Sequence, residues 1–311
     1  MSNSRITRRH AVAALAGAGA VGLATGRADN GAEQGNHKPA PLELDLNDPV
    51  DLSYARQKVI GSVASEEIHS FMRFHFYGQV PGEQARRLLS MNNYIVDRWE
   101  PVKRGTYKLA HWEVGYYCDF DTDDPIESWI NPYTEEEIEV FQFVLGPIHR
   151  EYTPDTVIAP GLAPHPLTSH IMGPRFYVAT EAIAQIPNLF QPDEWPKRSS
   201  GKMANWVSMQ TLSALMDDVL NPELTSAPAN IHLQNFVSWS SWMQMSGQPG
   251  GTMARAYGTE VDGFEALPQK VYDGFKKYTP EIFETATWDT IRFDEFDYFE
   301  LMQERRAKGE V

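Results

Sequence analysis

"IHSFMRFHFYG", residues 68–78, is apolar and aromatic, yet it carries two histidines and an arginine on alternate positions. The two-residue period of a strand puts His69, Phe71, Arg73, His75 and Tyr77 on one face and Ile68, Ser70, Met72, Phe74 and Phe76 on the other. Neither face resembles ordinary solvent surface. A wall of Phe, Arg, His and Tyr suits the inside of a barrel, where aromatic rings hold a ligand and a few polar groups orient it. That reading sets the expected fold.

Working outward, eight short alternating runs are separated by turn clusters. They are "EIHSFMRFHFYGQV", "TYKLAHWEVGYYCDF", "PIESWI", "EIEVFQFVL", "PRFYVATEAI", "MANWVSMQTLSAL", "HLQNFVSWSSWMQM" and "GTMARAYG". The connections, among them "DFDTDDP" and "APGLAPHPLTSH", are too long and too rich in proline for the short links of βαβ units. The expectation is a mainly β protein: an antiparallel β-barrel or strongly curved sheet, lipocalin-like or calycin-like. C-terminal helices are expected from about residue 263, because "FEALPQKVYDGFKKYTPEIFE" and "DEFDYFELMQERRAKG" carry apolar residues at three and four spacing with a break at Pro280.

The first residues carry a different message. Arg5, Arg8 and Arg9 precede an uncharged Ala/Gly-rich run from Ala11 to Gly26, which reads as a twin-arginine export leader over residues 1–28 and places the protein in the periplasm. The run is too short and too poor in large apolar residues for a spanning helix. Residues 29–48 have the Gly, Pro and Asn content of a flexible linker, and residues 49–305 form one β-rich domain. Cys118 is the single cysteine, so stability rests on the core and not on an intramolecular disulfide. The net charge is −15, and removing a leader with four arginines and no acid would leave −19. Such a balance disfavours nucleic acid and anionic membrane as partners. The one basic cluster, "ERRAKG", reads as a solvated tail.

The second polar strand is "LAHWEVGYYCD", where Leu109, His111, Glu113, Gly115, Tyr117 and Asp119 share a face. His111 and Glu113 are the parts of a general acid/base pair, and Gly115 would leave room for a ligand. If this strand neighbours the first, one cavity holds a catalytic set. In it His111 is base or acid, Glu113 its partner, Arg73 an anion or oxyanion stabiliser, and His75 or Tyr77 the second proton donor. His69, Phe71, Tyr117, Trp242 and Gln244 would line it. His69 and His75 lie roughly 20 Å apart on one strand and cannot share an ion. The competing reading is that Arg73 and Glu113 form a buried ion pair that fixes register.

No G-x-S-x-G, glycine-rich phosphate loop, HExxH or paired-cysteine set occurs, and Cys118 falls on an apolar face. No organic cofactor and no resident metal is expected. A metal reading would use His111 and Glu113 with Asp119, His149 or His232. His165 and His170 fall in a stretch read as a turn-rich loop. Trp239, Met243 and Met245 read as core. The functional expectation is a periplasmic, cofactor-independent enzyme of lyase, isomerase or dehydratase type acting on a small apolar or aromatic molecule. The alternatives are a lipocalin-like carrier and a metal-dependent hydrolase or oxygenase.

"WINPYTEEEIEV" from Trp129, "SWSSWMQMSGQPGG" from Ser238 and "YGTEVDGFEALP" from Tyr257 resemble the hairpin, Trp-rich strand and Gly-then-helix segment of a bacterial and fungal family, domain of unknown function 1838. The resemblance runs from about Ala64 to Pro280. It implies one β-rich exported domain and no particular activity. The hairpin turn after Thr134 would favour glycine, and this chain has Glu135 there.

Overall fold

A computed structural model describes residues 40–159, 163–283 and 295–310. The expected leader, and the linker up to residue 39, lie outside the described residues. The described chain is packed from near its start: the Leu42 N–H donates to the Leu220 carbonyl at 2.7 Å, and Leu44 and Leu46 lie against the core. Helix α1 (Pro49–Ile60) follows, and "DPVD" is why it starts there. The Asp48 carboxylate accepts from the Val50 and Asp51 N–H groups, and Pro49 occupies the first turn.

The strands are β1 (Glu66–Gln79), β2 (Arg86–Lys103), β3 (Thr106–Cys118), β4 (Ser128–Ile130), β5 (Glu137–Glu139), β6 (Phe143–Tyr152), β7 (Thr156–Ile158), β8 (His165–Met172), β9 (Arg175–Pro187), β10 (Met203–Leu215), β11 (Ala229–Ser238) and β12 (Gly251–Glu260). Ten of them form one closed barrel, ordered β1-β2-β3-β6-β7-β8-β9-β10-β11-β12, while β4 and β5 make a separate hairpin. Each pairing is antiparallel, and closure of β12 on β1 runs from Ser70–Glu260 to Gln79–Gly251. Closure removes the sheet edges and gives every strand an inside and an outside.

Which face is inside differs from the sequence expectation. Ile68, Ser70, Met72 and Phe74 are buried within the barrel, whereas His69, Phe71, Arg73, His75 and Tyr77 stand on the outer wall and are only half-buried. A closed barrel needs its larger continuous apolar set inside, and Met72, Phe74 and Phe76 supply it. The outer face stays half-buried because other segments lie on it. Phe264 packs against His69 and stacks on Tyr94 at 4.1 Å between ring centroids. Phe120 lies 5.2 Å from His75.

The strand between the two polar ones was not among the expected runs. In β2 both faces are buried over most of its length, so "LLSMNNYIVDRW" shows no polar alternation to mark it. Two more strands lie outside the expected runs: β8 falls in the stretch expected to be a turn-rich loop, and β7 just before it. The run ending "SWSSWMQM" leaves strand geometry after Ser238: Ser241–Met243 is a 3₁₀ turn and Gln244 is left-handed at φ 49°. Trp239, Trp242, Met243 and Met245 are all buried and close one end of the barrel. Glu135 adopts φ 60°, the conformation for which glycine was expected.

The other end is closed by α1. Its Ala55, Val59 and Ile60 join the core, and the buried Lys58 ammonium donates to the Asp218 and Asn221 carbonyls at 3.3 and 2.6 Å. Those carbonyls lie at the end of the short helix α2 (Met216–Val219). The expected C-terminal helices are α3 (Gln269–Tyr278) and α4 (Glu295–Lys308). α3 lies on the outer wall of β2 and β3, where Tyr94, Val96, Trp112, Val114, Tyr116 and Cys118 form a second apolar cluster with Phe275. α4 packs Tyr298 and Phe299 against Phe190. The basic end reads less as a solvated tail than expected, because Arg306 stacks over Trp195 at 4.7 Å. Phe275 is fully buried between Tyr94 and Tyr116. Phe275→Ala should therefore lower stability by about 3–5 kcal/mol in denaturant unfolding. An unchanged midpoint would mean that α3 does not hold this wall.

Candidate functional site

The inner wall carries the polar group that matters most. Asp97 of β2 and His111 of β3 face each other in register, as do Ile95 and Glu113. The His111 Nδ1 lies 2.6 Å from Asp97 Oδ1 and its Nε2 lies 3.3 Å from Glu113 Oε2. The other Glu113 oxygen accepts from the Asn93 amide at 2.8 Å. Arg150 reaches the same wall because β6 has one extra residue against β3. Leu145 and Ile148 pair with Glu113 and His111, and the bulge at Gly146–Pro147 turns Arg150 inward. Gly146 is required there: it has φ +117°, and a Cβ would meet the His111 carbonyl at 2.6 Å.

An imidazole with a carboxylate at each ring nitrogen is placed to donate from both when it carries its second proton. Burial by itself lowers the His111 pKa, but attraction to Asp97 and hydrogen bonds to both carboxylates outweigh it, and the net shift is upward. Burial pushes Asp97 up too, against the pull of His111 and Arg150. Arg150 acts on Asp97 through its charge and not through a bond, since Asp97 Oδ2 and Arg150 Nη2 are both buried without a hydrogen-bond partner. The side chains of His111 and Asp97 are 0% and 1% exposed, and Glu113 retains 9%. Glu113, on the inner face, is thus the least buried of the three.

The expected site residues divide between the two sides of the wall. His111, Glu113 and Tyr117 are inside, and Trp242 meets Tyr117 at 5.3 Å at one end of the lumen. Arg73 is outside, bonded to Asn92 Oδ1 and Ser90 Oγ and paired with Asp123. It is neither paired with Glu113 nor able to stabilise charge beside it. His75 and Tyr77 pack on Phe120, and His69 is hydrogen-bonded to the Tyr94 hydroxyl at 3.1 Å. Phe71 joins the outer apolar cluster, and Gln244 borders a surface hollow with Tyr278 and Tyr298. Gly115 leaves no ligand space: a Cβ there would meet the Met91 sulfur at 2.6 Å. The Cys118 thiol is buried under the outer cluster, and burial raises its pKa.

The residues weighed as metal ligands do not converge. Asp119 lies in the loop after β3, where it accepts from the Asp121 and Thr122 N–H groups. His149 and His232 are exposed on the outer wall. Among the described residues no group of three or more His, Cys, Asp and Glu side chains is placed to hold a metal ion. His165 and His170 are on β8.

A sequence model described as protein of unknown function (DUF1838) matches residues 66–300. The chain belongs to that family. No curated protein matches the sequence. The span matched by the DUF1838 model contains the whole inner-wall cluster, from Ser70 through Asp97, His111, Glu113 and Arg150 to Glu260. Asp97, Asn93 and Arg150 lie on strand segments outside the expected runs, so no period in the sequence marks them as inward-facing.

Glu260 also lies outside the expected runs. It pairs with Ser70 across the β12–β1 seam, on the inner face. Its Oε2 and the Ser70 Oγ are buried without a hydrogen-bond partner. Burial, then the nearby Glu66 and Asp262, push its pKa up to about 8. From the ordinary carboxylate value to about 8 the folded state binds the extra proton, so stability falls as pH rises through that window. Unfolding of the wild type between pH 5 and 8.5 should lose stability by at most about 1.4 kcal/mol per pH unit from this group. Glu260→Gln should flatten that slope; an unchanged slope would show Glu260 ionised throughout.

Proposed function

We propose that this exported DUF1838 protein is a cofactor-independent enzyme of the periplasm that moves a proton on a small apolar or aromatic molecule held inside the barrel. The observation that carries the reading is the His111 cluster on the inner wall, with Glu113 as its least buried member. Glu113 is the group that touches substrate. It takes a proton from the bound molecule and returns it at a second position, which is isomerisation, or loses a leaving group in between, which is elimination. His111 and Asp97 act through Glu113 as positioning residues: the imidazole holds the carboxylate in place, and Asp97 holds the imidazole. Tyr117 and Trp242 supply aromatic wall. Arg73, His75 and Tyr77, on the outer wall, have no part in the reaction.

Proton abstraction can be read without knowing the natural substrate. The protein is incubated in D₂O with a panel of small aromatic ketones and unsaturated esters, and deuterium incorporation is followed by mass spectrometry. The wild type should label at least one of them, and Glu113→Gln should lower the rate by ~100-fold or more. Equal rates in the two proteins would sink the assignment of Glu113. A wild type that binds these molecules and returns them unlabelled would instead make the barrel a carrier.

A further inference from the structure

The lumen has a second pole, which the chemistry above does not use. One cross-strand row of the inner wall reads Glu260, Ser70, Ile95, Glu113 from β12 through β1 and β2 to β3, each pair in direct register. Three steps at about 4.8 Å put the two glutamates roughly 14 Å apart along a wall that curves toward itself. Their side chains therefore both face the interior of the barrel, from different sides of the curve. Their surroundings are opposite in character. Glu113 is held by the His111 imidazole and the Asn93 amide. The Glu260 Oε2 has no partner, nor has the Oγ of Ser70, a residue 1% exposed. The charges acting on Glu260 are the carboxylates of Glu66 and Asp262, with no cation among them.

We infer that Glu260, with Ser70, is the lumen's hydrogen-bond donor site, and that the molecule it takes is a small carbonyl compound with its oxygen on Glu260 and an enolisable C–H toward Glu113. This rests on the proton-transfer reading and names its substrate class. A carboxyl group without a counter-cation stays protonated and donates, as its upward-shifted pKa also indicates. The step balances without a redox partner. Glu113 removes the proton α to the carbonyl, and the C–H electron pair moves into the carbon–carbon bond as the carbonyl π pair moves onto oxygen. Glu260 hydrogen-bonds or protonates that oxygen. Return of the proton from Glu113 at the γ carbon of an unsaturated ketone, with the oxygen proton going back to Glu260, completes an isomerisation. The two carboxyl groups divide the work because Glu113 lies beside the His111 ring and the Asn93 amide, whereas the charges near Glu260 are carboxylates.

The probe is acetophenone carrying a carbon-13 carbonyl, and the readout is its infrared carbonyl stretch when bound to the mature protein. The stretch should move to lower frequency in the wild type at pH 6.5, and the shift should vanish at pH 9.5, where Glu260 has lost its proton. Glu260→Leu should abolish the shift and weaken binding by about tenfold, while Glu260→Gln, which still has an N–H donor, should keep part of it. Ser70→Ala provides a second variant if the leucine protein does not fold, and should reduce the shift. Glu113→Gln should leave the shift in place, which separates this proposal from the one above: loss of proton exchange with the shift intact bears on Glu113 alone. Absence of acetophenone binding to the wild type, or a shift unchanged in Glu260→Leu and at pH 9.5, would overturn the assignment.

Discussion

An imidazole clamped between two carboxylates inside a closed barrel is the constraint from which the rest of this molecule can be understood. Removing charges from water is costly, and His111 offsets that cost by pairing with both Asp97 and Glu113. Pairing requires β2 between β1 and β3 in the observed register, because Asp97 comes from β2 and His111 and Glu113 from β3. It requires the extra residue in β6, since without the bulge Arg150 would face outward. It also requires a dry surround. α1 closes one end, the tryptophan-rich turn closes the other, and α3 seals the outside of the strands that carry the cluster.

That seal explains a feature that would otherwise look wasteful. Most barrel walls are apolar inside and polar outside, yet β2 and β3 are buried on both faces. Their outer residues Tyr94, Trp112, Val114 and Tyr116 form a second core with Phe275. Double cover keeps water from both sides of the wall at the position of His111, which strengthens its pairing with the carboxylates. The histidines and arginine of β1 belong to this outer layer. His69 helps seat Phe264, and Arg73 ties down the loop that carries Asp123. Their alternation marks an outer wall carrying docked segments.

The sequence made the barrel legible because turn clusters separated runs with a two-residue period, and the closing helices showed a clear change of period. It made His111 and Glu113 legible as a pair because residues two apart on a strand must share a face. It could not say which face was inside. Both faces of β1 mix aromatic and polar residues, and only closure of β12 on β1 decides between them. Asp97 stayed hidden for a related reason: a strand buried on both sides has no alternation, so its one inward carboxylate gave no periodic signal. Glu260 stayed hidden because its role depends on a seam between strands far apart in the chain.

The measurement that bears most directly on this account is nitrogen-15 NMR of the His111 ring in the folded protein across neutral pH. Both ring nitrogens should carry protons at pH 7 and above, with slowly exchanging N–H signals, since the two carboxylates raise the imidazole's affinity for its second proton. A ring with one unprotonated nitrogen at pH 7, titrating near the ordinary histidine value of about 6.5, would contradict the clamp on which the proposed chemistry depends.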